Sequence, residues 1–168
     1  YAEESYRYLE EWLQHSPSGR IPLIVYASHT DFEQTNVLPF VPPEGILGVT
    51  EFLKRRVTMP FRGSYSEFRN TLRHEMVHVF QLSLAVRGAT LFPRARSAGT
   101  PLWWSEGLAE FLSSPQDSRD EMVVRDLTIH ARMPDIEFLN ATYSSIVYPI
   151  GAELHHFLAR KYGAWRIR

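Results

Sequence analysis

Two histidines and a glutamate, His74, Glu75 and His78, stand in an otherwise apolar stretch made by Met76, Val77, Val79, Phe80, Leu82 and Leu84. Four residues along an α-helix advance a side chain about 40° beyond one full turn, so both imidazoles leave the same face, one turn apart. The apolar neighbours lie on nearly all sides, which predicts a buried helix rather than a surface one. Ser64 or Ser66, after the Arg62-Gly63-Ser64 turn, can cap its start, and the pattern runs to about Val86. Two imidazoles and a carboxylate in apolar surroundings are costly unless they share a partner. The HExxH spacing of His74-Glu75-Met76-Val77-His78 names that partner as a metal ion bound by both histidines, with Glu75 placed to hold water. The competing explanation is a pair of hydrogen-bonded histidines in a buried helix.

The chain has no cysteine, so thiolate sites, disulfides and thiol nucleophiles are excluded and a zinc ion must be held by imidazole and carboxylate. The extended pattern HExxHxxGxxH would require glycine at position 81 and histidine at 84, where this chain has Gln81 and Leu84. Another residue must complete the ligand set. Downstream, Pro101-Leu102-Trp103-Trp104-Ser105-Glu106-Gly107-Leu108-Ala109-Glu110-Phe111 puts Glu106 and Glu110 four apart on one helical face, where one can ligate while the other supports. His130, His155, His156 and Asp117 have no such motif around them and read as surface or packing residues.

Around these motifs the chain alternates helix, strand and loop. Ala2, Tyr6, Leu9 and Leu13 mark one face of an amphipathic helix ending near Ser16-Pro17-Ser18-Gly19. Ile21 to Ala27 has the length of a strand buried on both faces. Asn36 to Gly48, with three prolines and two glycines, is loop. Gly48 to Pro60 reads as an edge strand or hairpin whose Lys54, Arg55 and Arg56 block further pairing. Arg87 to Pro101 is a connection rich in Gly, Pro and Arg, followed by helices near Trp104 to Ser113, Ser118 to His130, and from Pro149 to just before Gly163.

At 168 residues and 44% hydrophobic content the chain suits one domain with a core, in an N-terminal α/β part of about 1–86 and a helical part of about 101–168. Its first residue is Tyr1 rather than Met, so it reads as an excerpt of a longer protein. A net charge of -1 gives no pull toward nucleic acid or anionic lipid, and no apolar run approaches the roughly 18 residues that span a bilayer.

Together, HEMVH and LWWSEGLAEF resemble the gluzincin zinc metallopeptidases, and the chain as a whole, from about Ile21 onward, looks like their compact bacterial peptidase-MA-like domains. The resemblance implies an α+β, zincin-like fold with a small mixed β-sheet whose edge strand packs on the buried HExxH helix, followed by a mainly helical C-terminal part. It implies zinc held by His74, His78 and Glu106, with Glu75 as general base and Glu110 orienting the first histidine. The segment Tyr143-Ser144-Ser145-Ile146-Val147-Tyr148-Pro149-Ile150-Gly151 looks like the one that brings an oxyanion-binding tyrosine to the site in aminopeptidase-like members, a role that falls on Tyr148. Gly48-Val49-Thr50-Glu51-Phe52 agrees only in Gly and Glu with the family's substrate-binding GAMEN motif, which assigns Glu51, with Tyr143, to the substrate. The expectation is hydrolysis of peptide or protein substrates by metal-activated water. Some relatives are exported and carry a C-terminal β-propeller, which makes export the expectation here. The rival readings are a zinc-containing binding or scaffold module with a vestigial site, and a metal-free interaction domain using Trp103 and Trp104.

Overall fold

The computed structural model describes residues 1–35, 45–51, 54–91, 99–114 and 118–168, without the side chains of 89–91. Among them it is mixed α+β and mostly helical, seven α-helices with one three-stranded sheet. The chain divides into two compact units, Tyr1–Arg87 and Gly88–Arg168.

In the first unit, α1 (Ala2–Leu13) buries Ser5, Leu9 and Leu13 and ends at Gln14 in the left-handed region, φ 50°. β1 (Leu23–Tyr26) is followed by α2 (His29–Glu33), capped by the Ser28 hydroxyl, which accepts the Asp31 amide at 3.1 Å. β2 (Val49–Glu51) and β3 (Arg56–Pro60) form an antiparallel pair with Thr50 opposite Val57, and β1 runs parallel to β3 with Leu23 opposite Val57. The order β1-β3-β2 makes β3 the central strand, which is why Val57, Thr58, Met59 and Pro60 are all buried.

This corrects the expectation that Ile21 to Ala27 is buried on both faces. β1 lies at an edge, with Leu23 36% and Val25 46% exposed. A short apolar run carries no information about which strand its neighbours will flank.

α3 (Tyr65–Leu91) is 27 residues long and extends beyond the Val86 expected from periodicity. The Ser64 hydroxyl accepts the Glu67 amide at 3.3 Å and caps its first turn. Its middle supplies Leu72, Met76, Val77, Val79 and Phe80 to the core. Each such side chain contributes roughly 1.5–3 kcal/mol on burial. Tyr6 of α1 meets Phe80 with ring centroids 5.3 Å apart, so the first helix packs on the third through aromatic contact.

The second unit is built on α4 (Leu102–Ser113) and α7 (Val147–Tyr162), with α5 (Ser118–Ile129) and α6 (Ile136–Ala141) between them in sequence. The two long helices touch backbone to backbone at Gly107 and Gly151. A Cβ built on Gly107 would fall 2.4 Å from the Gly151 carbonyl carbon, and one on Gly151 would fall 2.2 Å from the Trp103 carbonyl oxygen. Leu139, Val147 and Ile150 close a small core with Leu102, Trp103 and Leu127. Asp135 caps α6 by accepting the Phe138 amide at 2.7 Å.

α7 starts at Val147, two residues before the Pro149 start expected from sequence. The first four amides of a helix have no partner inside it, so proline is tolerated at the third position as well as the first. Among the described residues, no helix is long and apolar enough to cross a membrane.

Candidate metal centre

His74 and His78 sit near the middle of α3, one turn apart, their rings 4.9 Å between centroids and nearly edge-on at 79°. Their Nε2 atoms are 3.2 Å apart. His78 Nδ1 lies 2.9 Å from Gln81 Oε1. An amide oxygen only accepts, so Nδ1 carries the proton and Nε2 presents its lone pair. The i to i+3 relation of His78 and Gln81 makes this contact local to the helix surface. Gln81, which as a non-glycine excludes one ligand pattern, has this further contact through its three-residue spacing from His78, a signal present in the sequence.

Glu75, between the two histidines in sequence, is buried at 7% exposure. Its carboxylate Oε2 is 2.7 Å from the Thr50 hydroxyl on β2, and the same hydroxyl lies 2.8 Å from the Glu75 backbone carbonyl oxygen. Gly48, just before β2, passes so close that a Cβ there would sit 2.8 Å from Glu75 Cγ. The edge strand thus packs directly on the HExxH helix, through Thr50 and Gly48. In this segment it is Gly48 and Thr50 that contact Glu75.

One ring nitrogen each from His74 and His78 and one carboxylate oxygen of Glu106 all lie within 4.8 Å of one another, a group able to hold a metal ion. Comparison with models of known families, with curated proteins and with solved structures finds no match.

The remaining sequence candidates fall in different settings. Glu110 is in the last turn of α4, one turn beyond Glu106 and half-buried like it. Tyr148 is the second residue of α7, half-buried, at the helix end where amides point outward. Tyr143 is 89% exposed and lies just before the short turn that leads into α7. The Glu51 carboxylate pairs with the Arg56 guanidinium and, at 3.6 Å, with Lys54, so it is already engaged by two cations of its own hairpin.

His130 is exposed and pairs with Asp126 at 3.2 Å. His155 is fully buried, its Nδ1 donating to the Gly151 carbonyl at 2.8 Å and its ring 4.7 Å from that of Trp104. Burial lowers its pKa, against a smaller opposing pull from that carbonyl. His156, half-buried against Phe111, is also lowered by desolvation. These two are packing histidines, as their lack of motif context suggested. Asp117 lies outside the described residues.

Proposed function

We propose that this chain is the catalytic domain of a zinc-dependent peptidase with a zincin-like fold of the gluzincin type, in which His74, His78 and Glu106 hold the ion. The observation that carries the reading is the gathering of those three donors within 4.8 Å beside a buried glutamate on the same helix as both imidazoles.

The donor set fits zinc in kind, and its two imidazole nitrogens fit it in spacing. Neutral imidazole and carboxylate are the zinc ligands open to a chain without cysteine. Two nitrogens each roughly 2.0–2.1 Å from a tetrahedral ion stand about 3.3 Å apart, against the 3.2 Å between the two Nε2 atoms here. The Gln81 contact leaves the lone pair of His78 on that nitrogen.

When bound, zinc supplies Lewis acidity, which activates water at neutral pH and polarises a peptide carbonyl. The chain's own groups do the rest. Glu75 takes the proton of the attacking water at its carboxylate and delivers it to the leaving amine, the two halves of general acid-base catalysis. Tyr148, at the amide end of α7, donates a hydrogen bond to the developing oxyanion. Glu110 orients His74 and holds its tautomer. Glu51 and Tyr143 are not needed for any of these steps.

Two substitutions test the reading. Glu75→Gln is expected to retain one zinc per chain and the fold while peptide-library hydrolysis falls by about 10²–10⁴-fold. Glu106→Ala is expected to lose stoichiometric zinc. Undiminished hydrolysis by pure Glu75→Gln protein, or full zinc occupancy in Glu106→Ala, overturns the assignment. Zinc bound by wild type with no library member cleaved favours the scaffold alternative.

A further inference from the structure

We propose that Thr50, with the bare backbone of Gly48 beside it, is a positioning device that holds Glu75 in one side-chain conformation; the catalytic consequence of this rests on the peptidase reading above. The helix that carries the two histidines and the sheet are joined here by one hydroxyl. Thr50 Oγ1 stands 2.7 Å from Glu75 Oε2 and 2.8 Å from the Glu75 carbonyl oxygen. The single hydroxyl proton of Thr50 is thus within reach of two acceptors of one residue, its carboxylate and its backbone carbonyl.

That arrangement fixes the path of the side chain between them. Glutamate has three rotatable bonds and is one of the side chains with the most rotamer freedom to lose on ordering. Tying Oε2 to a hydroxyl that also sits against the residue's own backbone leaves a folded-back conformation. Its middle carbons are then pressed toward β2, and Gly48 supplies the room. Any Cβ at 48 would meet Glu75 Cγ at 2.8 Å, Oε1 at 3.1 Å and Cδ at 3.2 Å, displacing the carboxylate. The hydroxyl comes from a rigid place, since Thr50 is buried and paired opposite Val57 of the central strand. A base that must meet a water in one position gains from such pre-organisation, because misplacement by about 1 Å can cost on the order of 10²-fold.

Thr50→Val keeps the shape, the β-branching and the strand preference while removing the donor. Thr50→Ser restores the donor alone, and Gly48→Ala attacks the other half of the device. With zinc-loaded protein and quenched fluorescent peptides, Thr50→Val is expected to keep one zinc per chain, to leave KM within about twofold and to lower kcat on the order of tenfold, the scale of one hydrogen bond to a charged group. Thr50→Ser should recover most of that loss. A structural role alone would not give a kcat-only defect rescued by serine.

The same proteins, labelled with ¹³C at glutamate, report the device without turnover. The Glu75 carboxyl resonance should be sharp and dispersed in wild type and Thr50→Ser, and shifted toward the averaged position of mobile glutamates in Thr50→Val and Gly48→Ala. Wild-type protein that binds zinc but cleaves nothing removes the peptidase reading and leaves the carboxyl resonances to decide. A Glu75 signal in Thr50→Val like that of wild type, or wild-type kcat in Thr50→Val, overturns the proposal.

Discussion

Replacing Gly107 by alanine should destabilise the protein, although alanine is the better helix former. Gly107 lies inside α4, where the exchange to alanine would by intrinsic propensity gain roughly 0.8–1.0 kcal/mol. The crossing with α7 reverses the sign. The added methyl would lie 2.4 Å from the carbonyl carbon, 2.5 Å from the Cα and 2.7 Å from the carbonyl oxygen of Gly151. Non-bonded carbons prefer about 3.5–4.0 Å, so the backbones must part by about 1 Å. No flexible side chain can swing away instead, because all three obstructing atoms are backbone.

Overpacking of this kind costs typically 1–3 kcal/mol and sometimes more, and parting the helices also loosens the Leu139, Val147 and Ile150 core. With the rigid obstruction placing Gly107→Ala at the upper end of that range, the net loss is about 2 kcal/mol. For a chain of this size that corresponds to a melting temperature lower by about 4–8 °C, read from the helical circular dichroism signal on heating. Gly151→Ala, aimed at the Trp103 carbonyl oxygen, should behave alike. Gly88 is the control: it lies in α3 with nothing among the described residues within 4 Å of its would-be Cβ, so Gly88→Ala should hold or raise the melting temperature. Gly107→Ala and Gly151→Ala proteins as stable as wild type would refute the reasoning.

Gln81→Met, which keeps length but removes the acceptor from His78 Nδ1, is expected to weaken zinc binding by about 10–100-fold with little change in the fold; competition with a chromogenic chelator reads it, and unchanged affinity would show that the tautomer of His78 is set elsewhere. Acid should destabilise the fold through His155, His156 and His15, all lowered from 6.5 chiefly by desolvation. Below that value the unfolded chain takes up protons that the folded chain resists, so stability is complete above about pH 6.5 and declines as pH falls through it. Urea midpoints at pH 7.5, 6.5 and 5.5 should therefore decrease in that order, and replacement of His155 by a neutral residue should flatten the trend.

Much of this molecule could be read from short-range pattern. The helical phase of Leu9 and Leu13, the cap at Ser64, the stacked positions of His74 and His78, and the helical segment bearing Glu106 all follow from the pitch of a helix and the turn chemistry next to it. So does the antiparallel pairing of the strands on either side of Lys54 and Arg55, although Arg56–Pro60, expected as an edge closed to further pairing by its charges, is the central strand. These features depend on residues a few positions apart, whose geometry is set by the covalent chain and one turn of hydrogen bonds.

What the tertiary structure alone decided involves residues far apart in sequence. That β3 rather than β1 is central depends on partners from both sides of the chain. That Thr50 meets Glu75, 25 residues later, depends on where the sheet lies on α3. The need for glycine at both 107 and 151 exists only where two helices cross. Glu106 could be singled out beforehand only by likeness to a family, since nothing in its local pattern distinguishes it from Glu110. Periodicity tells which face of an element turns inward, and the strands, helices and side chains it meets there are chosen by packing the whole chain.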